Sequence, residues 1–286
     1  MIDFMSARRL LVGLATAAAC FSGAVASAQA DILDDLQAAG VANAALAKGP
    51  PISDLTADGK PTGYTPTVAA KILATLGVKE MNGVLSDFKG FIPGLEARRW
   101  DLVTAGMDIT SARCKVILFS EPLTVQRETF TVVKGNPKGI TSHESFVTDS
   151  GLKFAAIAGS SQEAYAKNEM KVPAEQIVPV PDHRTGIDAV LSGRADAMAL
   201  GEFSVKRVTN DDDRQKLETF PLSYVPVTGT AVAFRKADKA FRDKFDEELT
   251  RMRSSGELGK LYEEWGFTNP DDLRDVKRAD LAEGCE

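Results

Sequence analysis

The sequence predicts an α/β protein of two lobes, in which each lobe is a mostly parallel sheet flanked by helices and two strands cross between the lobes. Three observations support this class. Short apolar strand patterns alternate with helical patterns along the chain, which is typical of parallel sheets. A segment of the form [GR]-R-x-D precedes a strand in both halves, at Arg98 to Asp101 and Gly193 to Asp196. The length of 286 residues also exceeds that of a typical single core.

The first residues have the features of a secretory signal peptide, which we place at residues 1–28. They contain Arg8 and Arg9, an apolar run at 10–19 and the sequence Ala-Ser-Ala at 26–28. Lipidation at Cys20 and twin-arginine export are the alternatives for this leader. We expect lobe 1 to comprise residues 31–131 and 232–286, and lobe 2 to comprise residues 132–231 with a hinge strand at each end.

The composition excludes several classes of protein. With 44% hydrophobic and 26% charged residues, the chain has the composition of a globular protein. The formal net charge of −6 makes nucleic acid an unfavourable partner. The apolar run of the leader is shorter than the roughly 20 residues that a membrane-spanning helix needs.

The predicted elements of lobe 1 follow from apolar periodicity. Apolar residues at helical spacing predict helices at 31–39 and 64–76, and a third helix beginning within 86–95. Apolar runs predict strands at 41–47 and 81–85. A rigid loop with the sequence Lys-Gly-Pro-Pro-Ile follows the first strand at 48–52.

The segment 101–122 is the candidate ligand-binding segment. A short strand at 102–105 is followed by Gly106, where we expect the strand to end because glycine tolerates unusual backbone angles. Thr110 or Ser111 can cap a helical turn whose free N–H groups would bind an anion. Arg113 has the planar geometry that binds a carboxylate through two bonds. The alternative is an ordinary strand–turn–helix with a solvated arginine.

The predicted elements of lobe 2 begin with a β-branched crossing strand at 128–134. Strands follow at 154–158, 177–180 and 197–200, with a helix at 186–191. The turn at Gly159, Ser160, Ser161 and Gln162 opens a helix and would present N–H donors from the second lobe, although plain helix capping is the alternative. The return strand is predicted at 229–236, and two closing helices follow it.

These segments resemble the periplasmic polar-amino-acid-binding proteins of ABC importers, family 3. The resemblance rests on D-x-V-x-A-G-M-D-I-T-x-x-R at 101–113 and V-x-x-F-S-x-P-L at 116–123, and it extends over residues 41–267. The ectoine/hydroxyectoine-binding branch is the most similar, through Pro-Pro at 50–51, Ile-Pro-Gly-Leu at 92–95 and Arg113-Cys114 with a C-terminal Cys285.

The resemblance implies the two-lobed type II periplasmic binding protein fold, whose cleft closes around a ligand. It also implies that Arg113 binds the ligand carboxylate and that Phe88 stacks on the ligand, although a core aromatic is the alternative for Phe88. The implied ligand contacts are Ile52, Phe88, Gly106, Asp108, Arg113, Ser160, Ser161, Gln162, Gly201 and Glu202.

Four positions differ from the resembling proteins in ways that concern the ligand. Ectoine binders have Glu and Phe where this chain has Gly49 and Ile52, and a Phe where it has Asp108. Binders of α-amino acids have an Asp where this chain has Gly201. Asp108 therefore either holds a cationic group of the ligand, pairs with Arg113 or caps the following turn, and Glu202 is the other candidate for the cation.

After removal of the leader, Cys114 and Cys285 are the remaining cysteines, and an even pair in an oxidising compartment favours a disulfide. Two separate buried thiols are the alternative. His143 and His183 lie in segments that we expect to be solvated loops. No metal-ligand spacing, nucleophile motif or phosphate loop occurs, so we expect no cofactor and no metal.

The predicted function is that of an extracytoplasmic solute-binding component of an ABC importer that captures a small zwitterion, either an ectoine-type compatible solute or a polar amino acid. We expect a periplasmic monomer that docks on a permease in the inner membrane. The alternatives are a periplasmic enzyme similar to the cyclohexadienyl dehydratases, which resemble these binders, and a ligand-sensing adaptor.

Overall fold

The computed structural model describes residues 32–286, and the predicted signal peptide lies outside the described residues. The helices are α1 Ile32–Ala39, α2 Tyr64–Thr75, α3 Phe88–Glu96, α4 Ser111–Cys114, α5 Glu144–Thr148, α6 Ser161–Asn168, α7 His183–Leu191, α8 Glu202–Val208, α9 Asp211–Lys216, α10 Lys239–Ser254, α11 Glu257–Glu264 and α12 Arg278–Leu281. The strands are β1 Val41–Leu46, β2 Asp54–Leu55, β3 Pro61–Thr62, β4 Glu80–Leu85, β5 Leu102–Asp108, β6 Ile117–Phe119, β7 Thr124–Gln126, β8 Glu128–Val133, β9 Phe154–Ile157, β10 Ile177–Val180, β11 Ala197–Gly201, β12 Leu217–Pro221 and β13 Thr228–Arg235. Short 3-10 helices lie at Ala174–Gln176, Lys236–Asp238 and Pro270–Leu273.

The first sheet has the strand order β4-β1-β5-β13-β6, and β7 also pairs with β13. Strands β1, β4 and β5 are parallel, whereas β13 runs antiparallel to β5. Helices α2 and α10 pack on one face because their apolar residues recur every three or four positions. Val68 and Ile72 of α2 and Phe245 and Leu249 of α10 are fully buried in this core.

The second sheet repeats this arrangement with the order β10-β9-β11-β8-β12. Strands β9, β10 and β11 are parallel, and β8 and β12 continue the sheet in antiparallel fashion. Phe130, Phe146 and Phe154 meet at centroid distances of 5.5 to 6.1 Å on one face. Edge-on and tilted aromatic contacts of this kind stabilise a core beyond the area that they bury.

The chain passes from the first sheet to the second between β7 and β8, and it returns between β12 and β13. The two predicted crossings are therefore present, and the alternation of strands and helices matches the prediction in both sheets. The exact residue limits of the two lobes remain a prediction. No described helix is long and apolar enough to cross a membrane.

Two sequence expectations about strands need correction. Gly106 does not end its strand, because β5 continues to Asp108. Gly106 has a φ of +69° and lies where the register between β5 and β13 shifts, so it forms a bulge within the strand. Strand β12 was not predicted from the sequence, because its residues are mostly exposed and it ends in Pro221. Both features suit the edge of a sheet and obscure the alternating pattern of a strand.

Candidate functional site

A cavity of about 640 Å³ lies between elements of the two sheets. Its walls include Ile109 to Arg113 around α4, Glu128 of β8, Gly159 to Gln162 at the start of α6, the segment 225–228 that leads into β13, and Leu281 to Glu283 at the C-terminal end. The ends of strands and the first turns of helices thus meet here, which is where α/β proteins commonly bind ligands.

Arg113 is held in this cavity by a capped helical turn. Thr110 accepts a hydrogen bond from the Arg113 backbone N–H at 3.3 Å, so Thr110 is the cap that the sequence offered as one of two candidates. The Arg113 side chain is 9% exposed, and its Nη1 and Nη2 donate to the carbonyl oxygens of Asp108 at 2.8 Å and Gly159 at 3.2 Å. Arg113 therefore bridges the two sheets through backbone carbonyls.

Arg113 has no ion-pair partner in the described part of the chain, because no carboxylate oxygen lies within 4.0 Å of its guanidinium nitrogens. Arg235 and Arg278, by contrast, each form an ion pair with an aspartate. Burial lowers the pKa of the guanidinium, and the negative charge of Asp108 opposes that effect. A buried charge without a counter-ion is costly, so an anion entering the cavity would be bound strongly.

Asp108 forms a hydrogen bond across the two sheets. Its Oδ2 accepts from Ser161 Oγ and lies 3.5 Å from Gln162 Nε2, whereas its Oδ1 is buried without a hydrogen-bond partner. Burial raises the pKa of this carboxyl, and the bond from Ser161 and the charge of Arg113 oppose that effect. Asp108 thus neither pairs directly with Arg113 nor caps α4.

The helix α6 presents its first turn to the cavity. Ser160 caps it by accepting from the Glu163 backbone N–H at 3.1 Å. The N–H groups of Ser161 and Gln162 lie in the first turn, where no intrahelical acceptor exists for them. Both residues line the same cavity as Arg113, so donors from the two lobes lie around one space.

The remaining predicted contact residues lie elsewhere. Ile52 packs on Gly106, because a Cβ atom at position 106 would lie 2.2 Å from Ile52 Cγ2. Phe88 lines a second cavity of about 310 Å³ together with Lys48, Pro181 and His183. Gly201 is buried at the end of β11, and the exposed Glu202 begins α8 with its Oε1 at 3.4 Å from the Arg127 backbone nitrogen.

Glu128 is a cavity residue that was not predicted from the sequence. This residue begins β8, is 4% exposed and lines the larger cavity. Its Oε1 accepts from Gln162 Nε2 at 2.8 Å, and its Oε2 is buried without a partner. Burial and the neighbouring charge of Asp108 raise the pKa of the carboxyl from 4.5 to about 8. An acidic residue at the start of an apolar β-branched strand was the signal that could have identified it.

Both histidines are also placed differently from the expectation of solvated loops. His143 is 2% exposed, its Nδ1 lies 2.7 Å from the Tyr224 hydroxyl, and its ring packs edge-on against Phe130. His183 is the first residue of α7 and lines the second cavity. Burial lowers the pKa of each to about 4, because desolvation disfavours the imidazolium form.

The predicted disulfide is confirmed. Cys114 and Cys285 are bonded with a Cα–Cα distance of 5.2 Å, directly after Arg113. The bond holds the C-terminal segment against α4, and Leu281 to Glu283 form part of the cavity wall. Among residues 32–286, no group of His, Cys, Asp and Glu side chains has the arrangement of a metal site.

Comparisons with known proteins agree with this geometry. Residues 42–269 match the model of bacterial extracellular solute-binding proteins, family 3. A probable amino-acid ABC transporter periplasmic-binding protein of Sinorhizobium fredii is 33% identical, covering 82% of this chain and 80% of that protein. The lysine/arginine/ornithine-binding periplasmic protein of Escherichia coli is 26% identical, covering 75% and 83%.

Solved structures show the same fold. The crystal structure of EhuB in complex with hydroxyectoine is similar with a TM-score of 0.82 and 33% identity, covering 87% of this chain and 96% of that one. The ancestral amino acid-binding protein AncCDT-1, a precursor of cyclohexadienyl dehydratase, has a TM-score of 0.70 and 27% identity, covering 82% and 99%. The predicted two-lobed type II binding protein fold is thereby confirmed.

Proposed function

Since the chain belongs to the bacterial extracellular solute-binding proteins of family 3, we propose that it captures a small zwitterion between its two sheets and delivers it to an ABC importer. The ligand is an ectoine-type compatible solute or a polar amino acid. The observation that carries this proposal is the buried Arg113, which faces the cavity without a carboxylate partner. Hydroxyectoine bound to EhuB and the amino acids named for the other relatives belong to the same chemical class.

The ligand carboxylate is expected to bind between Arg113 and the first turn of α6. Arg113 follows strand β5 of the first sheet, whereas Ser161 and Gln162 follow strand β9 of the second sheet. One ligand carboxylate bound among them would therefore contact both lobes. Contacts of this kind favour the closed cleft, because a ligand shifts a conformational equilibrium only by its differential contacts with the two states. The bonds from Arg113 to Gly159 and from Ser161 to Asp108 add to closure.

The positive group of the zwitterion is expected to lie near Asp108, whose Oδ1 is buried without a partner. Glu202 is not expected to contact the ligand, because its side chain is exposed and lines neither cavity. Phe88 contacts the ligand only if the ligand reaches the second cavity.

The test is a thermal-shift screen with hydroxyectoine, ectoine, L-arginine and L-glutamine, with glucose and succinate as comparisons. A ligand at about 100 times its dissociation constant should stabilise the protein by about 2.7 kcal/mol. Calorimetry on Arg113→Ala should then show a loss of several kcal/mol, since each charge-assisted bond contributes roughly 1.5–3 kcal/mol. Arg99→Ala, an exposed arginine outside both cavities, is the matched control. Binding of glucose alone, or equal affinity in the Arg113 variant, would contradict the proposal.

The protein is proposed to act in the periplasm after cleavage near Ala28, with a permease of the inner membrane as its partner. Amino-terminal sequencing of the exported protein should begin near residue 29. Export that persists when Arg8 and Arg9 are both replaced by lysine would favour the general secretory route over the twin-arginine route. Retention of the leader, or a lipid on Cys20, would contradict this part of the proposal.

A second candidate is an enzyme on the same frame. Glu128, with a pKa of about 8, has the properties of a general acid at neutral pH. Incubation with a cyclohexadienyl acid that aromatises on loss of water would show a rising ultraviolet absorbance if the chain were a dehydratase. We expect no product, because the curated relatives are binding proteins.

A further inference from the structure

Glu128 faces a glycine on the neighbouring strand. In the antiparallel pairing of β8 and β11, Glu128 lies opposite Gly201. The space above Gly201 is filled by Gln126, because a Cβ atom on residue 201 would lie 2.1 Å from Gln126 Oε1. Glu128 is the acidic residue of this strand pair, and it lines the larger cavity.

Glu128 and Asp108 are connected by one side chain. Gln162 Nε2 donates to Glu128 Oε1 at 2.8 Å and lies 3.5 Å from Asp108 Oδ2. Each acid retains a second oxygen, Oε2 of Glu128 and Oδ1 of Asp108, that is buried without a hydrogen-bond partner. The Thr228 hydroxyl lies near Glu128, but its geometry does not form a hydrogen bond with that carboxyl. Unsatisfied buried oxygens are costly, so this pair is suited to several donors arriving together.

The local charges favour a cation. Arg113 provides one positive charge, and the two acids provide two negative charges when both are ionised. Other charged groups near β8 do not face Glu128: Arg127 and Glu202 are exposed, and Glu218 of β12 bonds the Gly135 backbone at 3.0 Å. His143 packs on Phe130 of the same strand and is uncharged at neutral pH. The excess negative charge is then balanced either by a proton or by a positive group of the ligand.

We propose that Glu128 acts with Asp108 as a two-carboxylate site for the ligand cation, and that this site selects cations with several N–H donors, such as an amidinium or guanidinium, over fully substituted ammonium groups. The inference rests on the proposed function, in which Arg113 holds the carboxylate of the same ligand. Entry of the cation displaces the proton that Glu128 holds in the free protein, and the proton passes to solvent.

The experiment is calorimetry on Glu128→Gln with hydroxyectoine, L-arginine and glycine betaine as probes. Glutamine has the same shape and keeps the acceptor for Gln162, and thermal unfolding checks that the variant is folded. The control is Glu218→Gln, an exposed acid on the adjacent strand β12. Titrations are made at about pH 6 and about pH 8.5, on either side of the Glu128 pKa, in two buffers with different ionisation enthalpies.

We expect hydroxyectoine or L-arginine to bind the wild type and to bind Glu128→Gln at least tenfold more weakly at the higher pH, about 1.4 kcal/mol. The wild type should release a proton on binding near neutral pH and the variant should not. Glycine betaine should bind more weakly than either probe and should be unaffected by the change.

Two results separate the failures of the two proposals. If Arg113→Ala abolishes binding while Glu128→Gln binds as tightly as the wild type with the same proton release, the role of Glu128 is overturned and the proposed function stands. If neither hydroxyectoine nor L-arginine binds, or if Arg113→Ala binds them normally, the proposed function fails and this inference fails with it. Preferential binding of glycine betaine would overturn the selectivity alone.

Discussion

Ser161 donates a hydrogen bond to Asp108 across the cleft, so a side chain of the second lobe bonds a buried carboxylate of the first. The bond joins the two lobes directly, and Ser161 lines the cavity that contains Arg113. Asp108 therefore has two possible contributions to binding, closure of the cleft and attraction of the ligand cation.

The substitution Asp108→Asn separates these contributions. The amide oxygen of the new side chain can still accept from Ser161, but the charge that attracts a cation is lost. The affinity for hydroxyectoine or L-arginine should therefore fall at least tenfold, about 1.4 kcal/mol. Isothermal calorimetry measures this change, and Asp212→Asn on the exposed face of α9 is the control. Unchanged affinity in a folded Asp108→Asn variant would show that Asp108 is structural.

Gly106→Ala should destabilise the protein through both backbone and packing. A φ of +69° disfavours alanine, and the new methyl group would lie 2.2 Å from Ile52 Cγ2. Urea unfolding should show a loss of roughly 1–3 kcal/mol from overpacking in addition to the backbone cost. Gly40→Ala has a φ of +72° with no atom within 4 Å, so it isolates the backbone cost. Ile52→Ala should partly restore the Gly106→Ala variant, and equal losses in both glycine variants would contradict the packing argument.

Removal of the disulfide should lower stability substantially. Cys114 and Cys285 are 171 residues apart in sequence, so opening the bond frees a long loop in the unfolded chain, which costs about 4–5 kcal/mol by loop entropy alone. The double change to serine should lower the urea midpoint, and dithiothreitol should lower the wild-type midpoint without affecting the variant. Two free thiols found by mass spectrometry of the denatured, unreduced protein would refute the bond.

The pH dependence of stability should report the state of Glu128. Its folded pKa of about 8 exceeds the ordinary value of 4.5, so its stabilising contribution is complete below about pH 4.5 and is lost as the pH rises through about 8. The unfolding free energy of Glu128→Gln should therefore rise relative to that of the wild type across this window. Urea unfolding at several pH values measures the difference, with Glu218→Gln as control. A difference that is flat with pH would mean that Glu128 ionises normally.

The sequence predicted the fold and the capped turn before Arg113 well, because these depend on short-range patterns. Apolar periodicity located β1, α2 and α10, and the Thr110–Arg113 spacing located a capped turn. Both features are determined by neighbours within a few residues, which a single sequence records.

Glu128 and the histidines could not be located in this way, since their surroundings come from distant segments. The burial of Glu128 depends on α6, and its relation to Gly201 depends on the register between β8 and β11. His143 is buried by aromatic rings that come together only in the folded second lobe. The prediction that the strand ends at Gly106 was wrong, because a glycine with a positive φ suits a bulge within a strand as well as the end of a strand.

The contact between Gln126 and Gly201 also makes these two positions evolve as a unit. A side chain at position 201 requires the end of Gln126 to move, because a Cβ atom there would lie 2.1 Å from Gln126 Oε1. A shorter residue at 126 would make this room, but alone it would leave an unfilled space beside β11. Residues in contact have non-additive effects, so Gln126 and Gly201 should be randomised as a pair.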